Sequence, residues 1–345
     1  MLAVMESDGS PQTRVIAVLC ADGSDDATDP DDRPRFLDEV AGAAADPQVE
    51  WRFTDAAGLA AALDGADALL LWDFFSSALA DAWEQAASLQ WIHVAAAGVD
   101  TLLFDDLRDS DVVVTNARGT FDRAIAEFVA AAVLAHAKRL HESYDLQQRR
   151  EWRHRETGTL VGKRALVVGT GSIGREIARL LTALGLSVRG AGSRARSGDP
   201  DFGDVLASAD LAEHVADVDY LANAAPLTPA TRGLIDRCVF AALPARAHLV
   251  NIGRGPTVVE ADLLAALKEG RLDGASLDVF ETEPLPPDSP LWTAPGVVVS
   301  PHLSGDVVGW RDALARQFVD NARRWLAGAD LINVVDKRLG YVPRA

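Results

Sequence analysis

The stretch Ala165-Leu-Val-Val-Gly-Thr-Gly-Ser-Ile-Gly174 decides how this chain folds, because a short apolar run leads directly into a turn with three glycines. Residues 175–184, which follow, have helical spacing. In such a unit the first glycine permits a tight turn, the second lets a pyrophosphate approach the backbone, and the third lets helix and strand pack closely. We therefore predict a dinucleotide site at Gly169, Gly171 and Gly174, with Ser172 and Ile173 between them. The alternative is that these glycines serve only the turn.

Apolar runs alternate with helical stretches on both sides of this turn, a pattern that predicts parallel sheets covered by helices. The first series of predicted strands is Val15–Cys20, Val49–Phe53, Ala68–Trp72, Trp91–Ala95 and Val112–Thr115. The second series is Ala165–Val168, Ser187–Ala191, Tyr220–Asn223, Leu249–Ile252, Ala275–Asp278 and Val297–Ser300. A long helix over Phe121–Glu142 separates the two series, and an amphipathic helix over Val307–Leu326 comes near the end. We therefore predict two α/β domains.

Composition narrows the class of protein. The 345 residues are 48% hydrophobic and carry a net charge of −18, which would repel the phosphate backbone of nucleic acid. No apolar run is long enough for a membrane span, so a cytoplasmic location and neither a nucleic-acid nor a membrane partner are expected. Cys20 and Cys238 are far apart and form no metal-binding motif, so no metal is expected. The acidic segment Asp22–Asp32 lacks calcium-loop spacing and is predicted to be a solvated loop.

The end of the second strand of the second series bears on the choice of cofactor. NAD-binding proteins usually place an acid there to hold the free ribose 2′-hydroxyl. This chain has Gly192-Ser-Arg194 instead. Arg194 could form a fork onto a 2′-phosphate while Ser193 donates its hydroxyl, so NADP is preferred and NAD remains possible. The alternative is a basic surface turn.

Three polar stretches each follow a predicted strand, where open α/β sheets place their ligands. They are Asn251-Ile-Gly-Arg254-Gly, Asp278-Val-Phe-Glu-Thr-Glu283-Pro and Ser300-Pro-His302-Leu-Ser-Gly305. Reduction of a keto acid needs a cation for the carboxylate and a proton donor for the carbonyl oxygen. Arg254 suits the first task and His302 the second, with Glu283 holding the imidazolium. A surface ion pair, a loop histidine and a solvated acid are the alternatives for these three residues.

These stretches resemble the signatures of the D-isomer-specific 2-hydroxyacid dehydrogenase family, and the likeness covers nearly the whole chain. In that family the corresponding arginine binds substrate, the glutamate before proline pairs with the histidine, and the histidine is the acid/base. These roles map onto Arg254, Glu283 rather than Glu281, and His302. The resemblance also implies that Asp278 contacts the nicotinamide amide.

The resemblance implies a flavodoxin-like substrate domain, 1–119 plus 306–345, with a Rossmann dinucleotide-binding domain, 120–305, inserted into it. The loop at Ala97 and Gly98 resembles the one whose backbone binds the substrate carboxylate. Trp72 is placed to close over a small substrate, or else belongs to the core. Because the loop at Trp72 offers no cation, phosphoglycerate is disfavoured. A homodimer is implied, and the alanine-rich Ala130–Ala137 fits either a subunit contact or an internal seam.

We therefore expect an NAD(P)-dependent enzyme that reduces a small 2-keto acid to a D-2-hydroxy acid, close in type to NADPH-dependent glyoxylate/hydroxypyruvate reductases. The alternative is a corepressor or sensor protein that binds the dinucleotide on the same fold. The remaining residues expected to bind the cofactor lie at or just past the carboxyl ends of strands of the second series. They are Ala225, Pro226, Ile252, Arg254, His302, Ser304 and Gly305.

Overall fold

The computed structural model describes residues 13–20 and 49–343, which fall into two compact units. The split unit comprises the described residues up to Thr120 and those from Val308 onward, and the inserted unit is Phe121–Val307. Each unit has its own parallel sheet and its own apolar core. This confirms the predicted fold class of two α/β units. The predicted loop Asp22–Asp32 lies outside the described residues.

The split unit begins with five strands that alternate with short helices. Its elements are β1 (Arg14–Leu19), β2 (Val49–Thr54), α1 (Leu59–Leu63), β3 (Ala68–Leu71), α2 (Ala78–Asp81), a 3-10 turn (Trp83–Gln85), β4 (Trp91–Val94), α3 (Asp105–Asp109) and β5 (Val113–Asn116). The strand order is β2-β1-β3-β4-β5, with every neighbouring pair parallel. This is the flavodoxin-like order, which crosses over at β1. Buried β3 lies at its centre, and its side chains are apolar on both faces.

The inserted unit begins with α4 (Asp122–Ala137) and α5 (Leu140–Gln148). Its further elements are β6 (Arg164–Val168), α6 (Ser172–Ala183), β7 (Ser187–Gly192), β8 (Arg196–Asp199), β9 (Gly203–Ala207), β10 (Tyr220–Asn223), α7 (Arg237–Ala242), β11 (His248–Asn251), α8 (Glu260–Lys268), β12 (Gly274–Leu277) and β13 (Val297–Val299). Three 3-10 helices connect them, Ser208–His214, Gly255–Thr257 and Pro290–Thr293. The sheet order is β13-β12-β11-β10-β6-β7-β9-β8, and β8 alone among these described strands runs antiparallel to its neighbour. The strand order reverses beside β6, so the glycine turn lies at the switch point where such sheets bind ligands.

The last helix, α9 (Trp310–Leu326), belongs to the split unit. Phe318 on this helix stacks on buried Trp91 of β4, with ring centroids 5.6 Å apart. Beyond the helix, the backbone of Val335 donates to the Val114 carbonyl, and Lys337 donates to the carbonyls at the end of α3. The C-terminal segment therefore completes the core that strands β1 to β5 begin.

Two predicted helices differ from the observed ones. The helix predicted over Phe121–Glu142 is two helices, because Arg139 takes a left-handed conformation with φ +49° and interrupts the hydrogen-bond ladder. The helix predicted from Val307 begins at Trp310, after Gly309 with φ +84°. Among the described residues, no helix is long and apolar enough to cross a membrane.

Candidate active site

The glycine turn between β6 and α6 has the shape that a pyrophosphate needs. Gly169 has φ +97°, and a Cβ on it would lie 2.5 Å from the carbonyl oxygen of Ala224. A Cβ on Gly174 would collide with the carbonyl of Gly169, whereas one on Gly171 would meet only open space. The first and third glycines are therefore required by close packing, and the second keeps the amino end of α6 accessible. This geometry fits a dinucleotide phosphate at the helix N-terminus.

The turn after β7 carries the residues predicted to determine whether NADP or NAD binds. Ser193 and Arg194 are both exposed on it. Arg196, two residues further on, reaches the glycine turn, where its Nη2 donates to Thr170 Oγ1 at 3.2 Å. The structure thus places a second cation of this basic turn at this edge of the sheet.

A buried polar network sets the loops after β10 and β11. The Asn223 amide donates to Asn251 Oδ1 at 2.9 Å and to Thr257 Oγ1 at 2.7 Å. The two asparagine oxygens accept the backbone N–H groups of Ala225 and Gly253. The network therefore fixes the loops that carry predicted cofactor residues, Ala225, Pro226, Ile252 and Arg254.

Arg254 follows this network and is half-buried, with its Nη1 donating to the carbonyl of Gly253 at 2.8 Å. The next residue has to be a glycine, because a Cβ on Gly255 would collide with the backbone of Phe280. This contact brings the arginine loop against the loop that carries Glu283. Two of the three predicted catalytic residues are therefore held on adjoining backbone.

Glu283 and His302 form a close pair. His302 Nδ1 lies 2.7 Å from Glu283 Oε2, and the other carboxylate oxygen accepts the backbone N–H of Phe280 at 2.8 Å. Burial by itself raises the pKa of Glu283, but the hydrogen bonds from His302 and Phe280 and the charges of His302 and Arg254 lower it below its usual value. Glu283 is therefore held as a carboxylate beside Arg254 and His302.

The neighbouring acid has a different task. Glu281 accepts the backbone N–H of Glu260 at 3.0 Å, and its own N–H donates back to the Glu260 carboxylate at 2.7 Å. This reciprocal contact ties the start of α8 to the Glu283 loop. The acid beside His302 is thus the one immediately before Pro284.

Asp278 holds the histidine loop. Its fully buried carboxylate accepts the Ser300 hydroxyl at 2.5 Å and the backbone N–H groups of Leu303 and Ser304 at 3.0 and 2.9 Å. These bonds hold the residues that precede and follow His302, whose own backbone is left-handed with a φ of +52°. Such a conformation is costly for a non-glycine residue, so the surrounding bonds have to impose it. The predicted contact of Asp278 with nicotinamide remains a prediction.

Other predicted cofactor residues have well-defined surroundings in the inserted unit. The Ser172 hydroxyl donates to Asp122 Oδ1 at 3.1 Å, and Ile173 is half-buried in the first turn of α6. Ser304 is buried, and Gly305 packs so closely on the Phe121 ring that a Cβ would lie 2.8 Å from it.

The predicted substrate residues of the split unit lie at the carboxyl ends of its central strands. Trp72 follows β3, and its backbone N–H donates to the Leu19 carbonyl. Ala97 and Gly98 follow β4, where the Ala97 carbonyl accepts the side-chain amide of Asn116 at 2.5 Å. Within their own unit these residues occupy the edge at which parallel sheets bind ligands. In the described part of the chain, no cluster of three or more potential ligands could hold a metal.

Comparisons with known proteins agree with this geometry. Residues 130–304 match the family model described as the NAD binding domain of D-isomer specific 2-hydroxyacid dehydrogenases. Glyoxylate/hydroxypyruvate reductase A from Serratia proteamaculans is 36% identical over 219 residues, which cover 62% of this chain and 68% of the relative. Glyoxylate/hydroxypyruvate reductase A HPR2 from Arabidopsis thaliana is 33% identical over 274 residues, 79% of this chain and 82% of the relative.

A solved structure extends the likeness to nearly the full length. It is an NADPH-dependent glyoxylate/hydroxypyruvate reductase from Sinorhizobium meliloti in complex with NADP and sulfate. It has a TM-score of 0.78 and 30% identity, and the match covers 96% of this chain and 100% of that one. These relatives are enzymes, so they support the dehydrogenase hypothesis over the corepressor alternative. The chain belongs to the D-isomer specific 2-hydroxyacid dehydrogenase family and is an NAD(P)-dependent oxidoreductase that interconverts small 2-keto acids and D-2-hydroxy acids.

Proposed function

We propose that this enzyme is an NADPH-dependent reductase of glyoxylate and hydroxypyruvate. The observation that carries the chemistry is the pairing of His302 with Glu283 at 2.7 Å beside Arg254. The substrate class is supported by the relatives, which are glyoxylate/hydroxypyruvate reductases, and by the absence of a cation from the loop at Trp72, Asp73 and Phe74. A substrate with a phosphate would need a cation at that loop.

Each of the three proposed catalytic residues of the inserted unit has one task. When bound, NADPH supplies the hydride that reduces C2 of the keto acid. Arg254 holds the substrate carboxylate and polarises the carbonyl. His302 donates a proton to the carbonyl oxygen, so that hydride and proton together convert the carbonyl group to an alcohol. Glu283 stabilises the imidazolium through Nδ1, which assigns the transferred proton to Nε2.

The split unit contributes its own binding element in the proposal. The backbone N–H groups of the loop at Ala97 and Gly98 are suited to bind a carboxylate, because small side chains let a ligand approach the backbone closely. Trp72 then limits the length of the substrate side chain. A two- or three-carbon keto acid fits these two constraints better than a bulky one.

The proposal is tested by a matrix of substrates and cofactors. The purified enzyme is assayed with glyoxylate, hydroxypyruvate, pyruvate and 2-ketobutyrate, each with NADPH and with NADH. We expect the highest kcat/KM for one of the first two acids with NADPH, and a D-configured product from prochiral acids. Tight NADPH binding without turnover on any acid would instead favour the dinucleotide-binding corepressor or sensor.

We also propose a homodimer in the cytoplasm that does not bind nucleic acid. A dimer contact is supported by aromatic and apolar side chains exposed on and after α5, with Trp152 fully exposed and Tyr144 62% exposed. The helix α4 packs against α6, which supports the internal seam as the role of its alanine-rich part. Light scattering of the enzyme and of Trp152→Ser tests the dimer. Cell fractionation and a DNA-binding assay test the other two predictions.

A further inference from the structure

The hairpin β8–β9 places a basic side chain at the glycine turn. Arg196 opens this hairpin, and its Nη2 lies 3.2 Å from the hydroxyl of Thr170, the residue between Gly169 and Gly171. Thr170 also faces the end of β7, because a Cβ built on Gly192 would lie 3.0 Å from the same hydroxyl. The guanidinium therefore lies at the carboxyl ends of β6 and β7, where an NAD-binding protein would place its ribose-binding acid.

Arg196 is held at the glycine turn by hydrogen bonds to Asp199. Its Nε and Nη2 donate to Asp199 Oδ2 at 3.1 and 2.9 Å. The Asp199 side chain is 1% exposed, whereas that of Arg196 is 37% exposed. The aspartate thus anchors an arginine whose outer face is accessible. Arg196 Nη1 makes no hydrogen bond to the residues that the structure describes.

Asp199 is itself fixed by a second arginine. Arg175, in the first turn of α6, donates from Nη1 and Nη2 to the two Asp199 oxygens at 2.8 and 2.7 Å. The Arg175 guanidinium also packs over the Phe202 ring. The hydrogen bond from Arg175 is the largest influence on Asp199, and its pKa lies well below the usual value. One ionised carboxylate therefore faces two guanidinium groups, and this trio has a net positive charge.

The nearby Asp201 provides a natural comparison. It accepts hydrogen bonds from Arg175 and from Arg179 Nε, the latter at 2.8 Å, and among the described residues it forms no hydrogen bond or ion pair with Arg196. Both aspartates support Arg175, but only Asp199 also orients Arg196. A substitution at Asp201 therefore disturbs the network without releasing the arginine at the glycine turn.

We propose that Asp199 is a positioning residue for cofactor choice, because it orients Arg196 as the principal contact for the cofactor 2′-phosphate, with exposed Arg194 making a secondary one. This inference rests on the NADPH preference in the proposed function and adds the residues that produce it. Arg196 provides the charge that the phosphate recognises, and Asp199 acts only through Arg196. Orienting the guanidinium beforehand lowers the entropy that the cofactor would otherwise lose in fixing it.

The test measures binding of two ligands that differ only in the phosphate of interest, adenosine 2′,5′-bisphosphate and adenosine 5′-monophosphate. Calorimetry on the full-length parent, Asp199→Asn, Asp201→Asn and Arg196→Gln gives the dissociation constants. We expect Arg196→Gln and Asp199→Asn each to weaken binding of the bisphosphate roughly tenfold or more while leaving the monophosphate within about twofold. Asp201→Asn should change neither ligand by that much.

Two further measurements separate positioning from general structural support. In an Arg196→Gln background, adding Asp199→Asn should have no further effect on the bisphosphate, because the side chain it orients is gone. The KM for NADPH should rise while the KM for NADH stays the same. Equal loss of both ligands in Asp199→Asn, or an undiminished bisphosphate affinity in Arg196→Gln, would overturn the inference.

The outcomes also distinguish this inference from the proposed function. If Asp199→Asn does not fold because Arg175 loses its buried partner, Arg196→Gln still tests the inference. It leaves the Asp199–Arg175 pair in place. A parent that binds the two adenosine ligands equally well contradicts the NADPH preference as well. A parent that prefers the bisphosphate, and loses this preference only in Arg194→Ala, overturns the role of Asp199 and Arg196 alone.

Discussion

The proposed proton donor is the single side chain of His302, and the proposed ligand of the substrate carboxylate is the single side chain of Arg254. We expect His302→Ala and Arg254→Ala to lose turnover by a factor of roughly 10²–10⁴, the usual cost of removing a positioned acid or a charge that stabilises the transition state, and to weaken NADPH binding far less. Steady-state kinetics and fluorescence titration of NADPH measure the two quantities. The matched control is His154→Ala, which alters an exposed histidine. Near-normal turnover in either variant contradicts the role given to that residue.

Glu283 should set the pH range of the reduction. The reaction needs a protonated His302, so activity falls at high pH, and the carboxylate at 2.7 Å favours the charged ring. Replacing it by an amide removes that stabilisation. We therefore expect the high-pH limb of kcat/KM to move to lower pH in Glu283→Gln. Glu281→Gln, whose side chain instead contacts α8, is the control, and a shift of the same size in that variant would refute the pairing.

A buried histidine makes stability depend on pH. His93 in β4 is fully buried, its Nδ1 lies 2.8 Å from the Thr115 hydroxyl, and burial lowers its pKa to about 3. The unfolded chain takes up a proton near pH 6.5 that the folded chain does not. Stability contributed by the neutral ring is therefore present above pH 6.5 and is lost as the pH falls towards 3, by about 1.4 kcal/mol per pH unit.

The dependence is measured by urea unfolding of the parent and of His93→Leu between pH 7 and 5. We expect the slope of unfolding free energy against pH to be smaller in the variant by about one proton. His154→Leu should keep the parent's slope. Equal slopes for the parent and the His93 variant would contradict the neutral buried ring.

At the scale of elements, the turn after β7 should determine the cofactor, but an exchange at two positions is not enough. An aspartate at position 192 would repel a 2′-phosphate and accept from the ribose hydroxyls. Its Cβ, however, would lie 3.0 Å from Thr170 Oγ1, and Arg196 would still attract the phosphate. We expect Gly192→Asp with Arg194→Ala to weaken the NADPH preference, and addition of Arg196→Gln to reverse it.

The ratio of kcat/KM values for NADPH and NADH measures this series. Arg196→Gln made alone is the control, since it should weaken the binding of NADPH without creating affinity for NADH. A full reversal by the first two substitutions would show that Arg196 is not part of the phosphate site.

The strands could be predicted from sequence to within one or two residues because their apolar runs are short and bounded by turns. The hairpin β8–β9 could not, since Arg196–Asp199 is polar and its pairing depends on a neighbour at the sheet edge. The break in the helix at Arg139 could not be predicted either, because helical spacing continues on both sides of it.

Much of the candidate site could also be predicted, since each polar stretch follows a buried strand. The network of Asn223, Asn251 and Thr257 was missed because its members are distant in sequence and meet only when β10 pairs with β11. The same holds for Asp199 and Arg175. A motif identifies residues that contact a ligand, whereas the side chains that support them depend on which strands become neighbours.

At the scale of the whole molecule, the net charge of −18 should make stability depend on salt. Like charges repel in the folded state, and salt screens them over a Debye length of about 10 Å at 0.1 M. We expect the melting temperature to rise with NaCl, by roughly 2–4 °C for each kcal/mol gained, and to level off above about 0.3 M. Scanning calorimetry from 10 mM to 1 M salt measures this. A flat dependence below 0.3 M, or one that rises only at high salt, would exclude charge repulsion as the cause.

The stacking of Phe318 on Trp91 has a consequence for synthesis on the ribosome. Translation delivers β4 early and its stacking partner only after the whole inserted unit has emerged. At the usual rate of synthesis the nascent chain spends roughly ten seconds or more with the Trp91 face uncovered. The inserted unit, whose residues are contiguous, can fold during that interval, and we expect it to be the first unit to resist protease on stalled ribosomes. The same delay makes the exposed face of the incomplete sheet a natural binding site for a chaperone.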